Sequence, residues 1–594
     1  MSVRILSITA AAATVAGLAV AYASTRDETD TRPITESATT AVAANQVATG
    51  FEWFWAISGP VAADAGSDLS VDAAGNVFLA GSHGGLDMDK DGVVDFTSGG
   101  VSYEGAANSL IMKLNRGPSD DRVRLRWMRS PRNPADRSQT RIAVDNQGGA
   151  YVIGAFAQEL SFEDGPTLPG AGGNDGFIAR YDGEGSVTWA RVFGGPGSDA
   201  AYDVAGDQDG NAYLVGVGVG TFPLDDRGAE FRATGERSSV LVSYAPDGAV
   251  RWFRVFPSGA PLAFRLGVAP NGDVYATGEL EGAADFDGDG TVDLPAPGNR
   301  SGFVARFDPD GNLLSAWSTP VPAQPAFTPN GDVVLGSAMG GPMEDRYGPA
   351  DFTGDGRADI ELKGGGPTGT WVARYSPDGE LRWVRSYSLE MPADIQAQAD
   401  RIVVSGNYKG VRDLDEDGEA ERVDRTVDPS LETDLAILIL STEDGRPQRV
   451  WTAPGPGNDW ANAVAFLPNE PALVVTGAIQ LTADFTGDGE DGEGWALCEH
   501  LGDIFFAQYR LEPSQITLSA SLYEVKGEGL KADLTWSGAT STDVQIYRGG
   551  ELLMTTANSG AHTDALPRGS KPPIYYRICE VGTTVCSTPL AAQF

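Results

Sequence analysis

The sequence predicts an all-β chain: a seven-bladed β-propeller closed by an N-terminal strand, followed by a small β-sandwich. Three observations carry this expectation. A short phrase recurs seven times, the two ends of the repeat array hold complementary strand fragments, and the repeat stops near residue 513. At 594 residues the chain is long for one compact domain and suits a repeat array with an appendage. Helical periodicity is absent, and 12 Trp with 23 Phe suit stacked sheets better than linkers.

Residues 1–23 read as a signal peptide. One Arg precedes an apolar stretch from Ile5 to Ala23, which ends Ala21-Tyr22-Ala23, a small-x-small cleavage pattern. The other reading is an uncleaved anchor, because the run approaches spanning length. Residues 24–50, rich in Thr, Ala, Asp and Glu, read as a disordered spacer.

The propeller is expected over 51–512. Its repeated phrase is a polar turn and an apolar run ending in Gly, as in Asp72 to Gly81, Asp145 to Gly154, Asp207 to Gly216 and Pro270 to Gly278. Worn copies end at Gly336, Gly406 and Gly477, so successive copies lie 58 to 73 residues apart. Each copy is followed by an apolar strand, an Asp-Gly turn and a strand carrying Trp, as in Phe303 to Gly311 leading to Trp317. Four short strands with hairpin turns, repeated seven times, fit propeller blades. The last copy stops after Phe505 to Tyr509 without its Trp strand, and Trp53-Phe54-Trp55 near the start supplies one. Such a strand would remove an open edge.

These residues resemble a known family. The Gly194-Gly-Pro-Gly-Ser-Asp199 turn, the Gly-Asn-x-Tyr-x-x-Gly strand and the Phe-x-Ala-Arg-Tyr strand resemble the bacterial seven-bladed β-propeller repeat of the SBBP type. The resemblance covers about residues 51–511. It implies an extracellular, periplasmic or cell-surface location and leaves the biochemical role open.

Charge narrows the partners. With 43 basic against 82 acidic residues the net charge is -39, so no nucleic-acid partner is expected, an anionic membrane is an equally poor one, and cations are favoured. Much of the acid sits between the second and third strands of five copies. The fourth reads Asp285-Phe-Asp287-Gly-Asp289-Gly-Thr291-Val-Asp293, with oxygens at positions 1, 3, 5 and 9 and a carbonyl at 7, a pattern that wraps a hard cation. The first repeats it as Asp87, Asp89, Asp91, Val93 and Asp95. The fifth has Asp351, Thr353, Asp355 and Asp359, and the sixth Asp413, Asp415, Asp417 and Glu421. The seventh begins with Asp484, Thr486 and Asp488. These runs resemble the calcium loops of integrin-type propellers and dockerins, which makes calcium the expected bound ion. Read blandly, they are solvated acidic turns. Close carboxylates repel by a few kcal/mol without a cation between them.

Residues 513–594 read as a β-sandwich: the repeat is gone, and alternation is plain in Ala532 to Trp536, Val544 to Tyr547 and Ile574 to Ile578. The segment resembles a fibronectin type III-like module, with Trp536 at the buried-Trp position. Cys579 and Cys586 flank a short turn within disulfide reach, and export would permit the bond. Cys498 is left over.

The function expected is that of an exported, calcium-stabilised binding or scaffold protein, a monomer with no membrane span after signal cleavage. Its further partner is an extracellular glycan or protein. The alternative is a secreted carbohydrate-active enzyme, a glycosidase or lyase using propeller carboxylates. Three His leave no plausible Ser-His-Asp set, so no catalytic residues are assigned.

Overall fold

The computed structural model describes residues 51–57, 64–83, 108–116, 123–132, 140–256, 262–295, 301–340, 349–353, 359–361, 368–389, 391–409, 414, 433–453, 457–468, 471–480, 482–485, 495–497, 503–511, 516–525, 529–539, 541–548, 551–567, 570, 574–581, 587 and 590–592. The signal and spacer expected over 1–50 lie outside them. All described residues belong to the unit Ala48–Phe594, and among them no helix is long and apolar enough to cross a membrane.

Every described element is a strand or a turn. Seven four-stranded antiparallel sheets follow one another. Sheet 1 is Ala65–Val71, Val77–His83, Asn108–Arg116 and Val123–Arg129, and sheet 2 is Arg141–Val144, Ala150–Ser161, Thr167–Tyr181 and Val187–Phe193. Sheet 3 is Ala200–Gly206, Ala212–Gly218, Ser238–Tyr244 and Val250–Phe256; sheet 4 is Leu262–Val268, Val274–Leu280, Ser301–Phe307 and Leu313–Thr319. Sheet 5 is Gln324–Phe327, Val333–Gly340, Thr368–Tyr375 and Leu381–Tyr387; sheet 6 is Met391–Ala397, Arg401–Tyr408, Asp434–Ser441 and Pro447–Ala453. Sheet 7 combines the ends of the array. Trp460–Phe466, Ala472–Ile479 and Asp503–Arg510 are joined by the N-terminal strand Phe51–Ile57, which pairs antiparallel with Asp503–Arg510.

The first strand of each sheet lies against the first strand of the next, and that of sheet 7 against that of sheet 1. Buried apolar clusters fill the spaces between consecutive sheets. One joins Leu69, Leu79, Leu110 and Met112 of sheet 1 to Val474, Ile504 and Phe506 of sheet 7. Burial on both faces explains the near-continuous apolar runs of the second and third strands, such as Val240, Leu241 and Val242.

The repeated residues have identifiable tasks. Arg of the third strand reaches back to Asp of the first hairpin turn in sheets 2, 4 and 5: Arg180–Asp145 at 2.6 Å, Arg306–Asp273 at 2.7 Å and Arg374–Asp332 at 2.6 Å. In sheets 1, 2, 3 and 5 the Trp of the fourth strand donates its indole N–H across to the next sheet, as Trp189 to the Pro246 carbonyl and Trp252 to that of Pro309, both at 2.9 Å. Glycine is required where that Trp lands. Gly311 has φ 83°, and a Cβ there would meet the Trp252 ring at 2.5 Å.

The C-terminal segment forms two further sheets. Thr517–Val525, Gly529–Ser537 and Ala561–Ala565 make one, and Asp543–Arg548, Glu551–Ala557, Ile574–Glu580 and Leu590–Ala592 the other. A shared core that includes Leu522, Leu534, Trp536, Ile546 and Ile578 packs them face to face as a sandwich. Trp536 is buried and donates to Asn558 Oδ1 at 2.8 Å.

Candidate functional site

The acidic loop of sheet 4 leaves the second strand at Leu280 and is fixed by its one aromatic residue. Phe286, fully buried, packs against Phe303 and Phe256 with ring centroids 5.1 and 5.5 Å away. An Ala284–Leu294 bridge holds the loop's base. With the loop pinned, its acids are crowded into one turn. Carboxylate oxygens of Asp285, Asp287 and Asp289 lie within 4.8 Å of one another, the one such group of three among the described residues. The turn is tight because Gly288 and Gly290 take positive φ, 79° and 90°. Asp285 accepts the N–H groups of Gly288 at 2.7 Å and Gly290 at 2.9 Å, and Asp289 accepts that of Thr291 at 2.6 Å. Asp293 stands outside the group of three. Its Oδ2 accepts the Phe286 N–H at 2.7 Å and so clasps the base. Burial, and then the charges of Asp287, Asp285 and Asp289, push its carboxyl above the usual range against the hold of that N–H. Three hard oxygen donors of one sign gathered at the surface fit a calcium-type cation.

The corresponding loop of sheet 5 repeats the clasp. Asp359 Oδ2 accepts the N–H of Phe352 at 2.6 Å and of Thr353 at 2.9 Å, and the Thr353 hydroxyl donates to Asp351 Oδ1 at 3.2 Å. Phe352 packs on Trp371 at 4.8 Å. Asp355 lies outside the described residues, as do Asp87, Asp89, Asp91, Val93 and Asp95 of the first loop. So do Asp413, Asp415, Asp417 and Glu421 of the sixth and Thr486 and Asp488 of the seventh, while Asp484 ends the short strand Thr482–Asp484. The apolar residue after the first Asp is nevertheless buried in these last two loops as well, as Leu414 and Phe485.

A second constellation, on the first strands, was not anticipated. Asp68, Arg141, Asp203, Arg265 and Asp394 occupy one register in sheets 1, 2, 3, 4 and 6, opposite Ala80, Ile153, Val215, Thr277 and Ser405. In four of them a β-bulge precedes the charged residue. Each Asp accepts an N–H from the next sheet: Asp68 from Ile142 at 2.9 Å, Asp203 from Leu266 at 3.0 Å and Asp394 from Val464 at 2.9 Å. The Asn462 amide of sheet 7 donates to the Gly66 carbonyl of sheet 1 at 2.8 Å. Burial raises the Asp68 carboxyl to about 7 against the pull of Arg141, and raises Asp394 to about 6. Aligning the copies would have shown charged residues at one strand position. No spacing motif marks them.

His83 is buried, with Nε2 at 2.9 Å from Ser130 Oγ, and burial lowers it to about 4. Cys579 is disulfide-bonded; Cys586 and Cys498 lie outside the described residues.

No family model and no curated protein matches the chain. Among solved structures, the Dos1 propeller is similar with a TM-score of 0.35 and 9% identity, over 78% of this chain and 96% of that one. The acylaminoacyl peptidase of Pyrococcus horikoshii has a TM-score of 0.33 at 9% identity, over 83% of this chain and 59% of that one. The V. cholerae biofilm matrix protein Bap1 has a TM-score of 0.19 at 12% identity, over 78% and 91% respectively. These are distant likenesses of fold, and none bears on function.

Proposed function

We propose that the chain is an exported, calcium-stabilised, seven-bladed β-propeller of the SBBP type, serving as a binding or scaffold protein at the bacterial cell surface or outside the cell. The observation that carries the calcium reading is the gathering of Asp285, Asp287 and Asp289 oxygens within 4.8 Å. Asp285, Asp287 and Asp289 would hold the ion, and its positive charge would relieve their mutual repulsion. The propeller reading is supported by seven successive sheets whose first strands touch in cyclic order. Strand Phe51–Ile57 fills the fourth place of the last sheet, which removes an edge. The C-terminal sandwich is read as a fibronectin type III-like module stapled by Cys579 and Cys586.

The test is thermal unfolding of the full chain in calcium and in chelator, followed by a glycan array in both. A melting temperature raised by calcium and calcium-dependent retention of a glycan are expected. Identical melting curves would reduce the loops to acidic turns, and hydrolysis of array glycans would favour the carbohydrate-active enzyme.

A further inference from the structure

The junction between sheets 2 and 3, where the sequence carries no acidic loop, buries two carboxylates. Asp175 opens the apolar part of the third strand of sheet 2 and is 0% exposed; Asp199 closes the turn into sheet 3 and is 3% exposed. The Asp199 N–H donates to the Asn174 carbonyl at 2.8 Å, so the two acids enter the same junction. Asp199 is fully engaged, accepting the N–H of Gly195 at 2.8 Å and of Val219 at 2.6 Å. Asp175 is engaged on one side only. Its Oδ2 accepts the N–H of Ala171 at 2.8 Å and of Gly172 at 3.4 Å, while its buried Oδ1 has no hydrogen-bond partner.

No Lys, Arg or His among the described residues offsets either charge, and burial raises both carboxyls, Asp175 further through the charge of Asp199. No N–H or O–H reaches Oδ1, so an ionised Asp175 leaves a buried oxygen without a partner, a costly state. A cation asks only for lone pairs, and the turn offers oxygen besides the carboxylate: the Gly195 and Pro196 carbonyls would meet a Cβ on Gly172 at 2.3 and 2.6 Å. The chain closes this tightly because residue 194 is glycine, where a Cβ would meet Asp175 Oδ1 at 2.2 Å. The same placement recurs between sheets 6 and 7. Asp434 and Asp459 are both 0% exposed, Asp459 N–H donates to Thr433 at 2.8 Å, and Asp459 Oδ1 accepts Gln480 N–H at 2.8 Å.

We infer that the junction of sheets 2 and 3 binds a buried divalent cation of the calcium type through Asp175 Oδ1, with Asp199 beside it and oxygens of the intervening turn as further ligands. This site is separate from the exposed loop of Asp285, and the experiment distinguishes the two. Calcium retained by the full chain after buffer exchange is counted for the wild type, Asp175→Asn and Asp287→Ala/Asp289→Ala. Asp175→Asn is expected to retain one ion fewer per chain, and combining it with the loop variant to remove the sum of the two losses. A wild-type count in Asp175→Asn overturns the inference and leaves the loop reading standing. Should Asp175→Asn fail to fold, diffraction from wild-type crystals soaked in terbium decides: an anomalous peak bonded to Asp175 Oδ1 supports the site, and its absence overturns it.

Discussion

Sheets 3 and 4 insert a loop at the same place, between their second and third strands, and use the acids in opposite ways. In sheet 3 the loop folds into a small hairpin, Thr221–Pro223 against Glu230–Arg232, with Phe222 buried beneath it. Its Asp225 is buried and answered by N–H groups: Arg227 and Ala229 at 2.9 Å on Oδ1, and Val250 at 3.0 Å on Oδ2. Burial alone would raise that carboxyl, and the N–H groups more than offset it, so it sits below the usual range. In sheet 4 Phe286 supplies the same anchor, but Asp287 and Asp289 are exposed and crowded with Asp285. The anchor belongs to the fold and the surplus of carboxylates to the loop. Asp225 is answered by three N–H groups, whereas Asp285, Asp287 and Asp289 crowd together with one or two each, a concentration of negative charge that the calcium proposal would answer.

If the anchor is shared, Phe222→Ala and Phe286→Ala should cost alike, about 3–5 kcal/mol each, in calcium and in chelator. Urea unfolding checks this, and a markedly smaller loss at Phe286 would break the equivalence of the two loops. The acids should separate them next. Asp287→Ala/Asp289→Ala should cost roughly 1.5–3 kcal/mol in millimolar calcium and nothing in chelator. Asp225→Ala should cost about 2 kcal/mol in both, because its partners are backbone N–H groups left unsatisfied. Calcium dependence in Asp225→Ala would mean the hairpin is also an ion site.

The smallest effect contrasts both loops with the acids of the first strands. A carboxyl raised in the folded state takes up protons on folding, so its contribution improves as pH falls from the folded value toward the unfolded one. For Asp68 that window runs from about 7 down to about 4, and for Asp394 from about 6. The pull of Arg141 on both carboxyls limits the gain, and the charges of Asp394 and Asp203 add to it at Asp68. In chelator, stability should therefore rise between pH 8 and 5, and Asp68→Asn should flatten the rise. A fall over that range would mean Asp68 stays ionised.

Much of this was legible in advance because it is local. Repeated hairpin turns, Trp strands and terminal glycines mark four-stranded units whatever surrounds them. The Asp-x-Asp-x-Asp-Gly spacing likewise marks a carboxylate turn, because one short loop contains every donor. Two features stayed hidden. Phe286 reads as a spacer between aspartates, and its role as anchor emerges only when Phe256 and Phe303 close over it. Asp293 reads as a ligand by position, and spacing alone does not reveal that its Oδ2 clasps the Phe286 N–H.

The sequence by itself determined the strand units, their number of copies, the paired ends of the array and the gathering of acids in single turns. Each depends on contacts within a few residues or on a pattern that repeats. Only the tertiary structure decided which charges meet. Asp68, Arg141, Asp203, Arg265 and Asp394 are separated by many tens of residues, and although the repeat gives them one strand position, their charges act on one another only because the first strands of the sheets touch in turn. Asp175 and Asp199 look like ordinary turn residues until burial strips their water. An ionised group out of water must find a partner, and which group goes out of water is settled by packing between sheets.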